Sequence, residues 1–210
     1  MKRYATTALC LAVTALALLC AGCAGSLTGP APEIHHYALR PAPPAPANVS
    51  APGVLKVRRL AIAPESSGRE MVYRTGETLY AFDYYNQYLV NPADMLTQAT
   101  RRAMRSAALF TAVAGDGSSL RPDYVLEGTV SALHGDFQDT DAPAAVVQMQ
   151  FFLLRDTVGD YDIMFDHTYT QRIPLRRHKA ADLANALERG VQDILHQLAT
   201  DLAATLSAQQ

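Results

Sequence analysis

The three cysteines of this chain stand at positions 10, 20 and 23, and none follows. Whatever folds beyond residue 23 must stand on core packing and hydrogen bonds, because no disulfide can staple it. No thiolate can act there as nucleophile or metal ligand either. The segment that holds the cysteines reads as an export signal. Met1-Lys2-Arg3 supplies two cations, Tyr4 to Leu19 an apolar core, and Cys20 to Ser26 a run of mostly small residues. The apolar core falls short of the roughly 20 residues needed to cross the hydrocarbon, so a cleaved signal over residues 1–22 is expected rather than a spanning helix. Ala21-Gly22-Cys23 places small residues before a cysteine, as lipoprotein processing requires. Cys20 fills the third position back, where an aliphatic residue is usual. Cys20 itself follows the bulky Leu18-Leu19, and Cys10 lies inside the apolar core. Cys23 is the expected lipid attachment, with ordinary signal cleavage nearby as the alternative. Several acyl chains on one cysteine hold a protein far more firmly than one, since each buried CH₂ contributes about 0.8 kcal/mol.

Cleavage before Cys23 leaves about 188 residues, which is one domain by the usual length prior. Residues 23–53 are read as a lipidated amino terminus, a short strand at Glu33 to Arg40 and a Pro/Ala-rich connector, and residues 54–210 as the folded domain. In the connector, Pro41-Ala42-Pro43-Pro44-Ala45-Pro46-Ala47 cannot donate a full hydrogen-bond ladder. It is expected as an exposed extended spacer that gives the domain reach from the bilayer. The net charge of -2 gives no electrostatic reason to expect nucleic acid.

Val54 to Ala63 suits a buried strand with a charged bend at Lys56-Val57-Arg58-Arg59. Met71 to Thr75 and Thr78 to Tyr85 flank Gly76-Glu77 and predict a hairpin. Asn91-Pro92-Ala93-Asp94 is a helix start, with a capping Asn, a Pro whose missing N–H costs nothing at the first position, and an acid near the positive end of the dipole. That helix should run to about Ala108, with Leu96, Ala99, Ala103 and Ala107 on its packed face and Arg101, Arg102 and Arg105 pointing elsewhere. Leu109 to Ala114 reads as a short strand or return. Three strands follow, with inward faces at Tyr124, Leu126, Gly128, Val130 and Ala132, at Val147, Met149, Phe151 and Leu153, and at Tyr161, Ile163, Phe165, His167 and Tyr169. A final helix begins near Lys179, with Leu183, Leu187, Val191, Ile194, Leu198 and Leu202 along one side and Gly190 as a point of close approach to the sheet. The expected fold is α+β: a largely antiparallel sheet with two long helices packed on one face.

A search for chemistry finds little. His35 and His36 are adjacent on a strand and point to opposite faces, so they do not converge on one metal ion. Asp136, Asp139 and Asp141 lack the central glycine and terminal glutamate of a calcium loop and read as a solvated loop. His167, between Phe165 and Tyr169, reads as a half-buried histidine rather than a base. No nucleophile elbow or glycine-rich phosphate loop is present, so neither a cofactor nor catalysis is expected. The unusual feature is an aromatic run: Tyr73, Tyr80, Phe82, Tyr84, Tyr85 and Tyr88. Tyrosine couples a large apolar area to a polar tip and favours interfaces that stay soluble when unpaired. The alternative is that alternate tyrosines complete the hairpin core, with Tyr84 and Tyr85 split one inward and one outward.

The order of several short motifs resembles the ABC-type transport auxiliary lipoprotein family, which includes the lipoprotein encoded with the paraquat-inducible Pqi membrane proteins. The motifs are the lipobox at Cys23, His36-Tyr37-Ala38-Leu39, Leu60-Ala61-Ile62-Ala63-Pro64, Met71-Val72-Tyr73-Arg74, Asp83-Tyr84-Tyr85, Asn91-Pro92-Ala93-Asp94-Met95-Leu96 and Asp123-Tyr124-Val125-Leu126-Glu127-Gly128. The chain departs at Gln87-Tyr88-Leu89, where a tryptophan is expected; it has no Trp. The resemblance implies a non-catalytic component of an envelope lipid-transport system, working with an ABC permease complex and a periplasmic MCE-domain protein. It makes Tyr73, Arg74, Tyr84 and Tyr85 the candidate partner-binding residues. Ala24 follows the lipidated cysteine where Asp would retain the protein at the inner membrane, so the periplasmic face of the outer membrane is expected. The residues allow a homo-oligomer and fix no stoichiometry. A second reading is an assembly lipoprotein for an outer-membrane β-barrel or for lipopolysaccharide delivery.

Overall fold

The computed structural model describes residues 32–157 and 160–209. In chain order these form β1 (His35–Tyr37), β2 (Ala51–Val57), β3 (Ala61–Ile62), β4 (Glu70–Arg74), β5 (Tyr80–Tyr88), helix α1 (Pro92–Ala107), β6 (Phe110–Ala114), β7 (Tyr124–Asp136), β8 (Ala144–Thr157), β9 (Asp160–Pro174) and helix α2 (Ala180–Ser207). The α+β class matches the expectation. The strands form one sheet built around β7, which meets β2, β3 and β4 along one side and β8 along the other. The predicted hairpin β4–β5 is antiparallel, as are β7–β8 and β8–β9, the longest pairs. The shorter pairs β1–β5, β2–β6, β2–β7, β3–β7 and β4–β7 are parallel, so the sheet is mixed. Parallel partners need long crossovers, and the one between the neighbours β2 and β6 runs through β3, β4, β5 and α1.

Helix α1 begins where its caps require. The Asn91 side chain accepts from the Ala93 N–H at 3.0 Å, and Pro92 opens the helix. It ends at Ala108, whose left-handed φ of 53° breaks the hydrogen-bond ladder without a glycine. Leu96, Ala99, Ala103 and Ala107 are buried as predicted. Arg101 is not pointed outward. Its guanidinium reaches under the helix, donating to the Val57 carbonyl at 3.1 Å and to Asp116 at 2.5 Å. A long aliphatic stem lets a cation pass through apolar surroundings to a polar end.

Along α2, Leu183, Leu187, Val191, Ile194, Leu198 and Leu202 are all buried. Each such side chain contributes about 1.5–3 kcal/mol relative to exposure. They face the buried β8 residues Val147, Met149, Phe151 and Leu153 in one continuous core. Gly190 is the predicted close approach: a Cβ there would lie 3.1 Å from Val147 Cγ2.

Two strands depart from simple alternation for a visible reason. A register shift in β7 between Val130 and Ala132 turns Leu133, rather than Ala132, into the core. In β9, Phe165 sits opposite Leu153 while Ile163 sits opposite Leu154. Met164 is the extra residue, so Tyr161 and Ile163 face away from Phe165, His167 and Tyr169. Of the five residues expected on one inward face, only Tyr169 is buried; its hydroxyl donates to Asp201 of α2 at 2.6 Å.

The Pro/Ala-rich segment is packed rather than free. Pro41 and Pro44 are buried and Ala47 is half-buried, a spacing of three that matches the polyproline II repeat. Arg40 N–H donates to Glu188 at 2.6 Å, Ala42 N–H to Gln192 at 3.1 Å, Ser106 Oγ to the Pro44 carbonyl at 2.8 Å, and Ala47 N–H to the Ala107 carbonyl at 2.9 Å. The extended geometry is the one composition predicts; its role is a strap across both helices.

Candidate functional site

Cys23 lies outside the described residues. The other candidates fall on the hairpin, where the sheet departs most from regular pairing. Met71 is opposite Asp83, yet the preceding Glu70 is opposite Gln87, so Tyr84, Tyr85 and Asn86 have no counterparts on β4. Asp83 builds this bulge. Its Oδ1 accepts the backbone N–H groups of Tyr85 and Asn86, both at 3.0 Å. Its Oδ2 accepts the Asn86 amide at 2.9 Å and the Tyr73 hydroxyl at 2.8 Å. An aspartate that hydrogen-bonds the backbone two and three residues on is the ordinary side-chain substitute for a turn, here placed inside a strand.

The expectation that Tyr84 and Tyr85 split one inward and one outward is corrected by this bulge. Both are displayed, 63% and 45% exposed, with ring centroids 5.3 Å apart and planes perpendicular. Edge-to-face contact holds the two rings against each other as one knob. Phe82 and Leu79, also strongly exposed, continue the apolar surface toward the hairpin turn.

Tyr73 and Arg74 play other parts. Tyr73 is half-buried on the helix side of the sheet and reaches the knob only through Asp83. Burial, with the hydrogen bond to Asp83, pushes its phenol far above the ordinary range and keeps it a protonated donor. Arg74 points to the opposite face, where its guanidinium lies 6.0 Å from the Tyr80 ring and donates to the Glu77 carbonyl at 2.9 Å. It fixes the turn and does not join Tyr84 and Tyr85.

Sequence reasoning missed the partners of Tyr73. Phe137 packs edge-on against it with ring centroids 5.5 Å apart, and His178 packs edge-on against Phe137 at 5.3 Å. With Asp83, Asn86 and Ala180 they line a pocket of about 570 Å³ beside the bulge. The Asp-Tyr-Tyr-Asn string was the available signal for the bulge; nothing local links it to Phe137 or His178. Asp136 is not part of a solvated loop either. Burial would raise its carboxyl, but the hydrogen bond from Arg172 at 2.5 Å and those from Gln138 outweigh that and hold it below its usual value. The neighbouring His134 is buried against Tyr80, and burial holds its imidazole below the ordinary 6.5. His167 is exposed rather than half-buried, its ring edge-on to Tyr169 at 4.6 Å.

The model of the family described as "ABC-type transport auxiliary lipoprotein component" matches residues 37–199. Among solved structures, protein XCC0632 from Xanthomonas campestris has a TM-score of 0.74 at 22% identity, over 84% of this chain and 99% of its own. An uncharacterized protein has a TM-score of 0.64 at 18% identity, over 81% and 99%. The hypothetical protein CT253 from Chlamydia trachomatis has a TM-score of 0.52 at 9% identity, over 73% and 99%. At these identities the likeness is one of fold. No match was found among curated proteins.

Proposed function

Because the chain belongs to the ABC-type transport auxiliary lipoprotein family, we propose that it is the non-catalytic docking component of an ABC/MCE-type envelope lipid-transport system. In this reading acylated Cys23 holds it to the periplasmic face of the outer membrane. The hairpin knob engages a periplasmic MCE-domain protein that works with the ABC permease. The observation that carries the reading is the Asp83 bulge: a strand that could have buried a tyrosine instead spends four hydrogen bonds to present two. Paired exposed tyrosines beside a pocket are the composition and shape of a binding hot spot. Tyr73 supports the bulge from behind and Arg74 fixes the turn.

Isolation of the protein from membranes in mild detergent should bring an MCE-domain protein with it. Replacing Tyr84 and Tyr85 by serine should abolish that capture while leaving the protein folded and membrane-bound. Capture of an outer-membrane barrel alone would reassign it to barrel or lipopolysaccharide assembly. Separately, Cys23→Ser should abolish incorporation of labelled fatty acid and release the protein from membranes.

A further inference from the structure

A second exposed apolar surface lies at the other end of β1. That strand runs parallel to β5, pairing His35 with Asn86 and Tyr37 with Tyr88, so its start lies by the tyrosine knob and its end by the turn into α1. In that turn Leu89 and Val90 are 49% and 47% exposed, although Leu89 N–H is tied to the Tyr37 carbonyl at 2.7 Å. They border a groove of about 410 Å³ floored by the buried Leu39 and Met95 and edged by Arg40 and Arg102. The nearby acid Asp94 is neutralised by Arg59 at 2.6 Å. Among the described residues, the Arg40 and Arg102 side chains have no carboxylate within ion-pairing distance.

We infer that the Leu89–Val90 turn and the Arg40 and Arg102 rim contact an anionic phospholipid surface, the two aliphatic side chains entering the headgroup layer and the guanidiniums meeting phosphates. Two features favour lipid over another occupant. Half-exposed aliphatic residues flanked by unpaired cations are the arrangement of an interfacial membrane contact. The edge that carries them is also the first part of the fold after the proposed anchor. Ten residues lie between Cys23 and Ile34, and the eleven steps from one to the other span at most about 40 Å even when fully extended. Tethering at that range keeps the patch at high effective concentration over the bilayer, so a weak contact suffices. The inference draws on the anchoring proposed above, but the patch can be tested without it.

The test uses the full mature chain with Cys23→Ser, so that no acyl chain contributes, and vesicles of phosphatidylethanolamine with phosphatidylglycerol. It should sediment with these vesicles measurably and with phosphatidylcholine vesicles much less. Each arginine near an anionic surface contributes about 1 kcal/mol, so Arg40→Gln with Arg102→Gln should weaken partitioning about thirtyfold. In a second arm, an environment-sensitive fluorophore on Val90→Cys in the acylated, vesicle-bound protein should shift to the blue. The same label on Ile163→Cys, at the opposite edge of the sheet, should not shift. Equal vesicle binding by the double variant, or a Val90 label that stays aqueous on vesicles, would overturn the inference. A shift that appears only when protein rather than lipid is added would also overturn it, giving the patch to a protein contact. Loss of fatty-acid labelling in wild type with the Val90 and vesicle results intact would sink the anchor and spare the patch.

Discussion

The two halves of the sheet solve different problems with the same alphabet. Under α2, strands β7 and β8 place Leu126, Val130, Val147, Met149, Phe151 and Leu153 against a helix face of six aliphatic residues. At the other edge, Leu79 in the hairpin turn and Phe82, Tyr84 and Tyr85 of β5 face water. For Tyr84 and Tyr85 the difference lies in one carboxylate. In the helix-covered half, side-chain direction follows strand period and burial supplies the free energy. In the hairpin, Asp83 breaks the period by satisfying backbone donors itself and turns apolar surface outward. Large apolar side chains therefore supply stability in one half and, in the function proposed above, contact in the other.

The comparison can be broken first by core truncation. Phe151→Ala should cost about 3–5 kcal/mol, read from urea unfolding, and leave partner capture intact wherever the protein is folded. A loss under about 1 kcal/mol would mean that the helix-covered half is not the stabilising one. Next, Asp83→Ala removes hydrogen bonds to a charged acceptor and should cost about 1–3 kcal/mol. It should also abolish partner capture, because the knob collapses into regular pairing. Retained capture would show that the bulge does not present the tyrosines. Pro44→Gly loosens the strap and should cost about 1 kcal/mol, with faster hydrogen exchange at Ala42 and Ala47; unchanged exchange would deny that the segment is docked.

A smaller effect is expected from His134, whose folded imidazole is held by burial below its ordinary 6.5. The unfolded chain then binds the proton more readily. This contribution to stability is intact above that value and is lost as pH falls through it. His134→Gln should flatten the pH dependence of unfolding in that window, and an unaltered profile would reject the assignment. The smallest change in stability should come from Tyr84→Ala with Tyr85→Ala, within about 0.5 kcal/mol. A larger cost would make the knob part of the core.

Features whose cause is local were legible in the sequence. The Asn91-Pro92 cap, the α2 stripe, the alternation from Val147 to Leu153 and the close approach at Gly190 each follow from backbone periodicity or a nearest neighbour. The unpredicted features have distant causes. The outward turn of Tyr161 and Ile163 depends on one extra residue paired against β8. The burial of Arg101 depends on Val57 and Asp116. The docking of Pro41 and Pro44 depends on helices that follow much later in the chain. The parallel pairs depend on register between strands far apart in sequence. At the candidate site, the expected inward and outward split of Tyr84 and Tyr85 failed because period two gave no place for the Asp83 turn. Phe137 and His178 carried no local mark at all.

The central claim is that the hairpin knob touches the partner. Its most direct test is a photo-crosslinking residue placed at Tyr84 in the membrane-bound protein in living cells, with Ile163 as the matched exposed position on the helix-covered half. Ultraviolet light should join position 84, and not 163, to an MCE-domain protein. Equal adducts at both positions, or an adduct at 163 alone, would contradict the account.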